Sequence, residues 1–454
     1  MGGGSMITAD QLPEFLRKRL VGRDTVRRAL ENSSWLFCDQ ILRMAAGLVV
    51  GIWMARYLGP ERYGWLSYAI ATVGLVSSFT SLGVNAVLVR ELVRAPEETD
   101  AWMGTGFFIK ALSSSVGFLV CVILSGVQSL PAAEVRPLII VVGLGMFFQT
   151  LDVIDLLFQA KGDSRVSAWV RMVACVLVNL LKVGLILAHA PVLAFAVAGV
   201  VELALTAAGW LYAVRRRGRP PTRWHNERVR AGILLRESWP LAVSGLAIYT
   251  QAYFDQLVIG SSLGAGELGQ YAAAMRLVVV FAFVPSVVMI VAAPEITRAK
   301  RDDETLYQRR LHSLYRLMFL LFLATAVPLM VLGPMVTRLL YGVSYAGAAA
   351  LLPWLAFRLF FTNLGVARSA FITNEGLFRF ALLTAVVGAV VNVLLNLVLV
   401  PQWGARGAIV SSFVSFGVTT FALEAFQSRA RSNLRLMARA ILMPWRPFVG
   451  KTMP

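Results

Sequence analysis

The chain has 454 residues, of which 57% are hydrophobic and 15% are charged, and its 43 Lys and Arg against 25 Asp and Glu give a formal net charge of +18. A soluble domain carries roughly 25% charged residues, so this composition is typical of a membrane protein and excludes soluble enzymes, coiled coils and disordered proteins. The three cysteines, Cys38, Cys121 and Cys175, lie in apolar stretches without a Cys-x-x-Cys pair. We therefore expect no disulfide framework, no metal site and no cofactor.

Apolar runs of about 20 residues, the length that crosses a bilayer as a helix, follow one another along most of the chain. Residues 1–5 are typical of an artificial leader, and residues 6–34 form a basic amphipathic segment. Six runs are predicted in an N-lobe (35–214) and six in a C-lobe (237–428), separated by a basic loop (215–236) and followed by a basic tail (429–454). The twelve predicted spans are 35–55, 63–88, 104–126, 137–159, 168–188, 192–214, 237–259, 271–293, 311–332, 346–366, 381–400 and 407–428. We predict an all-α membrane protein with twelve transmembrane helices in two parallel six-helix lobes around a central cavity.

Most of the Lys and Arg residues lie in the segments on one side of these spans. The positive-inside rule places that side, and with it both termini, in the cytoplasm. This topology accounts for the net charge, so nucleic acid is not expected as a partner. Basic amphipathic stretches at 15–30 and 429–441 are expected to lie on anionic lipids of the inner leaflet. The outer loops are too short to hold a catalytic domain, which favours transport over an enzyme activity.

Two pairs of turns repeat between the halves. Leu58-Gly59 and Leu263-Gly264 each precede another glycine, Gly64 and Gly269, at a spacing of 205 residues. A second similarity relates the turn at 159–162 in the first half to the turn at 373–376 in the second half. Chance recurrence of glycine turns is the alternative to a duplication. Two like bundles that face each other across a cleft can rock in alternating access.

Charged side chains inside a span are costly and therefore mark functional candidates. Arg276 has no acid within one helical turn, Arg358 follows Trp354 by one turn, and Arg43 lies four residues after Asp39, so that pair shares a helix face. Arginine presents a fixed fork of donors that matches phosphate oxygens. The predicted contacts to a diphosphate-bearing substrate are Arg43, Arg276 and Arg358, with Lys110 and Arg171 as further candidates.

Polar residues on the first and seventh spans are candidates for lining the cavity or coupling an ion. They are Asp39, Gln251, Tyr253 and Asp255. A polar contact between helices is the alternative for Gln251 and Asp255, and it is the favoured interpretation for Asn392 and Asn396. The sequence contains no Walker A, His-Glu-x-x-His or dinucleotide-binding motif, and Gly260-Ser261-Ser262-Leu263-Gly264 lies at a turn between membrane helices.

The run Ala55-Arg-Tyr-Leu-Gly-Pro-Glu-Arg-Tyr-Gly64, with Ser67-Tyr68-Ala69 and Arg90-Glu91-Leu92 after it, resembles the N-terminal pattern of Wzx-type oligosaccharide flippases. These belong to the multidrug/oligosaccharidyl-lipid/polysaccharide exporter superfamily, and the last two spans, with Asn392, Pro401 and Gly404, are similar too.

The resemblance implies a flippase of the bacterial inner membrane that moves undecaprenyl-diphosphate-linked oligosaccharide from the cytoplasmic to the periplasmic leaflet. A proton or sodium gradient, or the membrane potential, would drive it, and other polysaccharide-assembly membrane proteins are expected partners. The alternatives are a cation-coupled multidrug antiporter of the same superfamily and a membrane-embedded sugar transferase.

Overall fold

A computed structural model describes residues 24–81, 83–127, 130–218 and 221–445, and within these ranges it contains helices and no strand. The leader 1–5 and residues 6–23 of the amphipathic segment lie outside the described residues. The helices of the first half are α1 (Asp24–Thr80), α2 (Val84–Arg94), α3 (Thr99–Val127), α4 (Ala132–Gln149), α5 (Val153–Ala160), α6 (Ser164–Leu187) and α7 (Val192–Arg216). Those of the second half are α8 (Arg228–Leu263), α9 (Ala265–Phe281), α10 (Val284–Asp302), α11 (Glu304–Tyr341), α12 (Ala346–Ala356), α13 (Arg358–Asn374), α14 (Phe378–Trp403), α15 (Ala405–Gly417), α16 (Leu423–Phe426) and α17 (Ala430–Leu442).

Ten helical stretches of the described chain are long and apolar enough to cross a membrane. The first of them, Asp39–Thr80, carries the first two predicted spans, and the seventh predicted span lies on α8, which is not among the ten. The polar residues of α8, among them Gln251 and Asp255, lower its hydropathy. The protein is thus a multi-pass helical membrane protein, and the count of twelve stays a prediction.

The long helix α1 is interrupted at Gly59, whose φ of 74° and ψ of 168° are not helical. Pro60 follows at the start of the next helical stretch, a position that proline favours because its fixed φ suits the first turn. The predicted second span, 63–88, ends earlier than expected, since the helix stops at Thr80. Gly83, at a φ of 62°, then begins the separate helix α2.

The chain divides into two compact units. The first unit contains the described residues of 24–54, 76–127 and 136–242, and the second those of 55–75, 130–135 and 243–445. The predicted N-lobe (35–214) and C-lobe (237–428) have other bounds than these two units, and they remain a prediction. The core of the first unit packs α2, α3, α5 and α7 around residues that include Leu88, Met103, Ile154, Phe158 and Trp210.

The core of the second unit includes the tail helix α17. Ala430, Met437 and Ala440 are fully buried against α11 and α13 residues such as Tyr315 and Phe371. The predicted amphipathic stretch 429–441 is therefore helical, but its buried face contacts protein. Contact of its opposite, basic face with lipid stays a prediction.

Candidate functional site

Three of the five predicted basic residues lie in the first unit, and two of them share one carboxylate. Asp39, 1% exposed, accepts a hydrogen bond from Arg43 Nε at 2.9 Å and another from Arg171 Nε at 3.0 Å. The i, i+4 pairing of Asp39 with Arg43 is as the sequence spacing allows. Arg43 is about one-third exposed, and a second donor reaches Gln40 at 3.0 Å. A guanidinium has five N–H donors, so Arg43 keeps others for an incoming anion.

Asp155 is the other end of this network. Arg171 Nη1 donates to it at 2.9 Å, Gln159 Nε2 donates at 3.0 Å, and the Ser167 hydroxyl donates as well. Trp210 Nε1 in turn donates to Ser167 Oγ at 2.8 Å. Two guanidinium groups and two carboxylates thus alternate across α1, α5 and α6, which neutralises the cluster and fixes Arg171 in place.

Lys110, the third predicted cation of the first unit, donates to Asp152. Its side chain is 7% exposed, against 29% for its partner. Lys182 pairs with Glu202 at 3.4 Å in the same unit. Each of these ammonium groups therefore lies beside a carboxylate, which lowers the energy needed to hold it inside a span.

Arg358 and Asp255 lie together in the second unit. Arg358 Nη2 donates to the carbonyl of Ala252 at 3.1 Å, and its Nη1 lies 3.6 Å from the Asp255 carboxylate. Asp255 also accepts from the buried Tyr271 hydroxyl and from the Gln256 N–H. The guanidinium lies 5.2 Å from the ring centre of Phe416.

The aromatic ring beside the Arg358 guanidinium is that of Phe416, and not that of Trp354, which lies one turn earlier in the sequence. Trp354 is 59% exposed, and the helix is broken between the two residues. Arg358 itself is 7% exposed, which makes it the more enclosed of the leading candidates.

Arg276 lies among tyrosines. Its Nη1 donates to the Tyr63 hydroxyl at 3.3 Å. The nearby hydroxyls of Tyr341 and Tyr345 donate to backbone carbonyls, those of Ala273 and Ala55. These tyrosines are all buried, and the Tyr63 hydroxyl supplies a polar contact to the guanidinium.

The remaining polar candidates contact other side chains of the second unit. Gln251 Nε2 donates to Thr419 Oγ1 at 3.1 Å. The Tyr253 ring lies 4.6 Å from that of Tyr249, centre to centre. Asn392 donates to Ser415 Oγ at 3.3 Å, as expected for a helix contact. Gln251 and Tyr253 as cavity residues stay a prediction.

The repeated turns of the sequence meet in the second unit. We name residues 58–64 the first glycine turn and residues 263–269 the second. Gly59 and Gly264 have matching dihedral angles, with φ of 74° and 92° and ψ of 168° and 171°. A Cβ on Gly64 would lie 1.8 Å from the Ala265 carbonyl oxygen, and one on Gly269 would lie 1.8 Å from that of Pro60.

These two contacts are equivalent under the 205-residue repeat, because Pro60 corresponds to Ala265 and Gly64 to Gly269. The two turns therefore approach each other backbone to backbone in a symmetric way, as a duplicated element does when it meets its copy. Only residues without a side chain permit this distance.

Sequence reasoning missed one buried cluster in the second unit. Arg368 Nε donates to Glu424 at 2.7 Å, and both oxygens of that carboxylate accept from Asn433 Nδ2 at 3.1 Å. The Tyr315 hydroxyl donates to Asn433 Oδ1 at 2.7 Å. Arg368 was not selected because the predicted span ends at 366, whereas α13 continues to Asn374.

Helices of this length, with ion pairs within the membrane-spanning part, define a multi-pass membrane protein. A family model described as "Polysaccharide biosynthesis protein" matches residues 29–300, and the chain belongs to that family. The family resemblance expected from the sequence is confirmed at this level. No curated protein matches the chain at a significant level.

Solved structures with a similar fold are transporters of the MOP superfamily. An inward-facing multidrug resistance MATE family transporter is 18% identical at a TM-score of 0.71, covering 87% of this chain and 95% of its own. Lipid II flippase MurJ, in an inward closed conformation, is 14% identical at 0.69, covering 92% of each chain. A MOP superfamily transporter from Pyrococcus furiosus is 15% identical at 0.62, covering 91% of this chain and 96% of its own. The chain has the fold of these proteins.

Proposed function

We propose that the protein is a flippase that carries undecaprenyl-diphosphate-linked oligosaccharide from the cytoplasmic to the periplasmic leaflet of a bacterial inner membrane. The observation that carries the proposal is the match to the polysaccharide biosynthesis family in a chain with a transporter fold. Both termini lie in the cytoplasm in the proposed topology, as the charge distribution favours. The transport step is alternating access.

The paired glycine turns supply one gate for such a cycle. In the proposed topology they lie at the periplasmic end, and the close backbone contact between them is proposed to close the transport path there. Tyr63 belongs to the first turn, and Arg276 follows the second turn on α9, so the Tyr63–Arg276 hydrogen bond depends on the turns meeting. Separation of the turns withdraws Tyr63 and changes the donors that Arg276 presents.

The arginines are proposed to bind the diphosphate group. The Arg43 side chain is about one-third exposed, and one Arg276 donor, Nη1, reaches the Tyr63 hydroxyl at 3.3 Å. Arg171, Lys110 and Arg358 are held in place by their carboxylate partners, and they are proposed to bind the diphosphate through N–H donors that these partners do not use. A phosphate oxygen that takes the place of the Tyr63 hydroxyl carries a charge opposite to that of the guanidinium, and two such oxygens match the fork of arginine donors.

Asp39 and Asp255 are proposed to couple the cycle to an ion. Each holds an arginine, so protonation of the carboxylate weakens its hold on the guanidinium. Proton uptake at one stage of the cycle and proton release at another then change how strongly the arginines attract the anionic substrate. A sodium gradient or the membrane potential acts on the same groups.

The test is complementation of a strain that lacks its own polysaccharide flippase, scored for surface polysaccharide. The wild-type chain restores export, and the variant Asp255→Asn lowers it while the protein remains in the membrane. Failure of the wild-type chain to restore export with any of several lipid-linked glycans contradicts the proposal.

A multidrug antiporter is the second candidate, favoured by the similarity to the MATE family fold. An organic cation needs carboxylates that are available to it. Here Asp39, Asp155 and Glu424 each accept hydrogen bonds from an arginine, which favours an anionic substrate. Drug resistance conferred without glycan export supports the antiporter instead.

A further inference from the structure

A groove of about 770 Å³ runs between α6 and α7 in the first unit. Its apolar walls include Trp169, Val173, Leu177 and Leu205, which are each between 39% and 51% exposed. The helices approach closely at its floor, because a Cβ on Gly209 would lie 2.6 Å from the Val170 side chain. The volume lies within the range of about 300–1,000 Å³ that small-molecule sites occupy.

Three arginines, Arg165, Arg216 and Arg217, line one end of the groove. Arg217 pairs with Asp163. Arg165 lies 5.0 Å from the ring centre of Trp35, and Arg216 lies 5.1 Å from that of Tyr212. Within the described part of the chain neither of these two forms a salt bridge.

The aromatic rings position the two guanidinium groups without neutralising them. A cation over a ring is attracted by the ring face, while the N–H donors in the guanidinium plane stay available to an anion. The basic end of the groove therefore offers a site for a single phosphate group beside two fixed cations.

The groove also lies at the right depth for a lipid. Both of its helices are membrane-spanning candidates, Ser164–Leu187 and Val192–Arg216, so its apolar walls lie in the hydrocarbon layer. The arginines stand at the ends of these spans, where headgroups lie. Clusters of basic residues between transmembrane helices are a recognised form of anionic headgroup site.

We propose that this groove binds one anionic phospholipid, with its acyl chains along the apolar walls and its phosphate between Arg165 and Arg216. Charge complementarity selects the lipid: the net negative charge of phosphatidylglycerol is attracted, whereas the choline cation of phosphatidylcholine opposes the same arginines. This site goes beyond the proposed transport function, because it requires only that the chain lies in a membrane.

The experiment titrates phosphatidylglycerol or phosphatidylcholine with matched chains into the purified full-length protein and counts bound lipids by native mass spectrometry. The first phosphatidylglycerol binds more tightly than phosphatidylcholine. The double variant Arg165→Gln/Arg216→Gln weakens it roughly thirtyfold, since each cation near a lipid headgroup is worth about a fivefold change in affinity. The control Arg215→Gln/Arg228→Gln removes the same charge from exposed arginines outside the groove, and its affinity stays within about twofold of wild type.

A second variant separates the groove from general surface charge. Ala213→Trp fills the apolar part while it leaves every arginine in place, and it also weakens the first phosphatidylglycerol. Glycerol 3-phosphate, which has no chains, does not compete. Equal losses in the two arginine double variants, or no preference of the wild-type protein for phosphatidylglycerol, overturn the proposal.

Discussion

Two arginines of the second unit, Arg276 and Arg368, have different surroundings. Arg368 donates to the fully buried Glu424 at 2.7 Å, and Asn433 holds that carboxylate from its other side. Arg276 donates to the Tyr63 hydroxyl at 3.3 Å. A cation paired with a fixed carboxylate joins parts of a fold, and here the Arg368–Glu424 pair ties α13 to α16, while Asn433 links the same carboxylate to the tail helix α17. The Tyr63 hydroxyl belongs to the first glycine turn, so its contact with Arg276 changes when that turn moves.

The largest expected effect comes from breaking the buried ion pair between Arg368 and Glu424. Glu424→Gln leaves the Arg368 charge buried, and removal of one partner of a buried ion pair destabilises a protein by roughly 3–5 kcal/mol. We expect a large drop in the thermal midpoint of the purified protein and a low membrane yield. The double variant Arg368→Met/Glu424→Leu recovers most of the midpoint, because it leaves no charge behind. A single variant as stable as wild type contradicts this role.

The variant Arg276→Ala tests the other arginine. We expect it to abolish glycan export while its insertion and yield match wild type, because its role is in substrate binding. Arg338→Ala, an exposed arginine of the same unit, is the matched control and exports normally. Arg276→Lys keeps the charge but loses the fork of donors, so it restores export only in part. Full export by Arg276→Ala removes this residue from the site.

The glycine turns that hold Tyr63 against Arg276 give an intermediate effect. The added methyl of Gly64→Ala meets the Ala265 carbonyl, so the turns must separate. Overpacking costs typically 1–3 kcal/mol, which shifts the equilibrium away from the closed turns by about 5- to 150-fold.

Export is the measurement for this change too, and Gly269→Ala, at the equivalent position, should lower it by a similar factor. Gly245→Ala places its methyl in open space and serves as the control. Loss of export in the control as well, or unchanged export in both turn variants, contradicts the proposal that the glycine turns form a gate.

The smallest expected effect concerns a partly buried pair at the start of α8. The Arg230 guanidinium donates to Glu227 and holds the pKa of that carboxyl below its usual range. A lowered pKa in the folded state stabilises the protein above the ordinary pKa, and this contribution is lost as the pH falls through the folded value. The difference in thermal midpoint between wild type and Glu227→Gln should therefore be small at pH 7 and vanish in acid. A difference that grows on acidification has the wrong sign.

The sequence predicts those parts of this molecule that depend on local pattern. Apolar runs place the helices, and the Asp39–Arg43 pair follows from the four-residue spacing on one helix. The repeated Leu-Gly turns predict a duplicated element, and the matching angles of Gly59 and Gly264 agree with it. These features need no knowledge of how distant helices pack.

Contacts between distant helices do not follow from such patterns. Arg171 bridges Asp39 and Asp155, which lie 132 and 16 residues away along the chain. Glu424 pairs with Arg368, which lies 56 residues earlier in the sequence. Because the predicted span ends at 366, Arg368 was not counted among the charged residues inside a span. Hydropathy gives the depth of a charged residue within a few residues, whereas the identity of its partner depends on helix rotation and tilt.

The most direct measurement reconstitutes the purified protein into liposomes that contain undecaprenyl-diphosphate-linked oligosaccharide with a labelled glycan. Access of an external enzyme or quencher to the label then reports transfer between leaflets. The account predicts transfer by the wild-type protein, at a rate that an imposed ion gradient or potential changes, and little transfer by Arg276→Ala at equal incorporation. Equal label access in protein-free and wild-type liposomes, with drug cations transported instead, would contradict it.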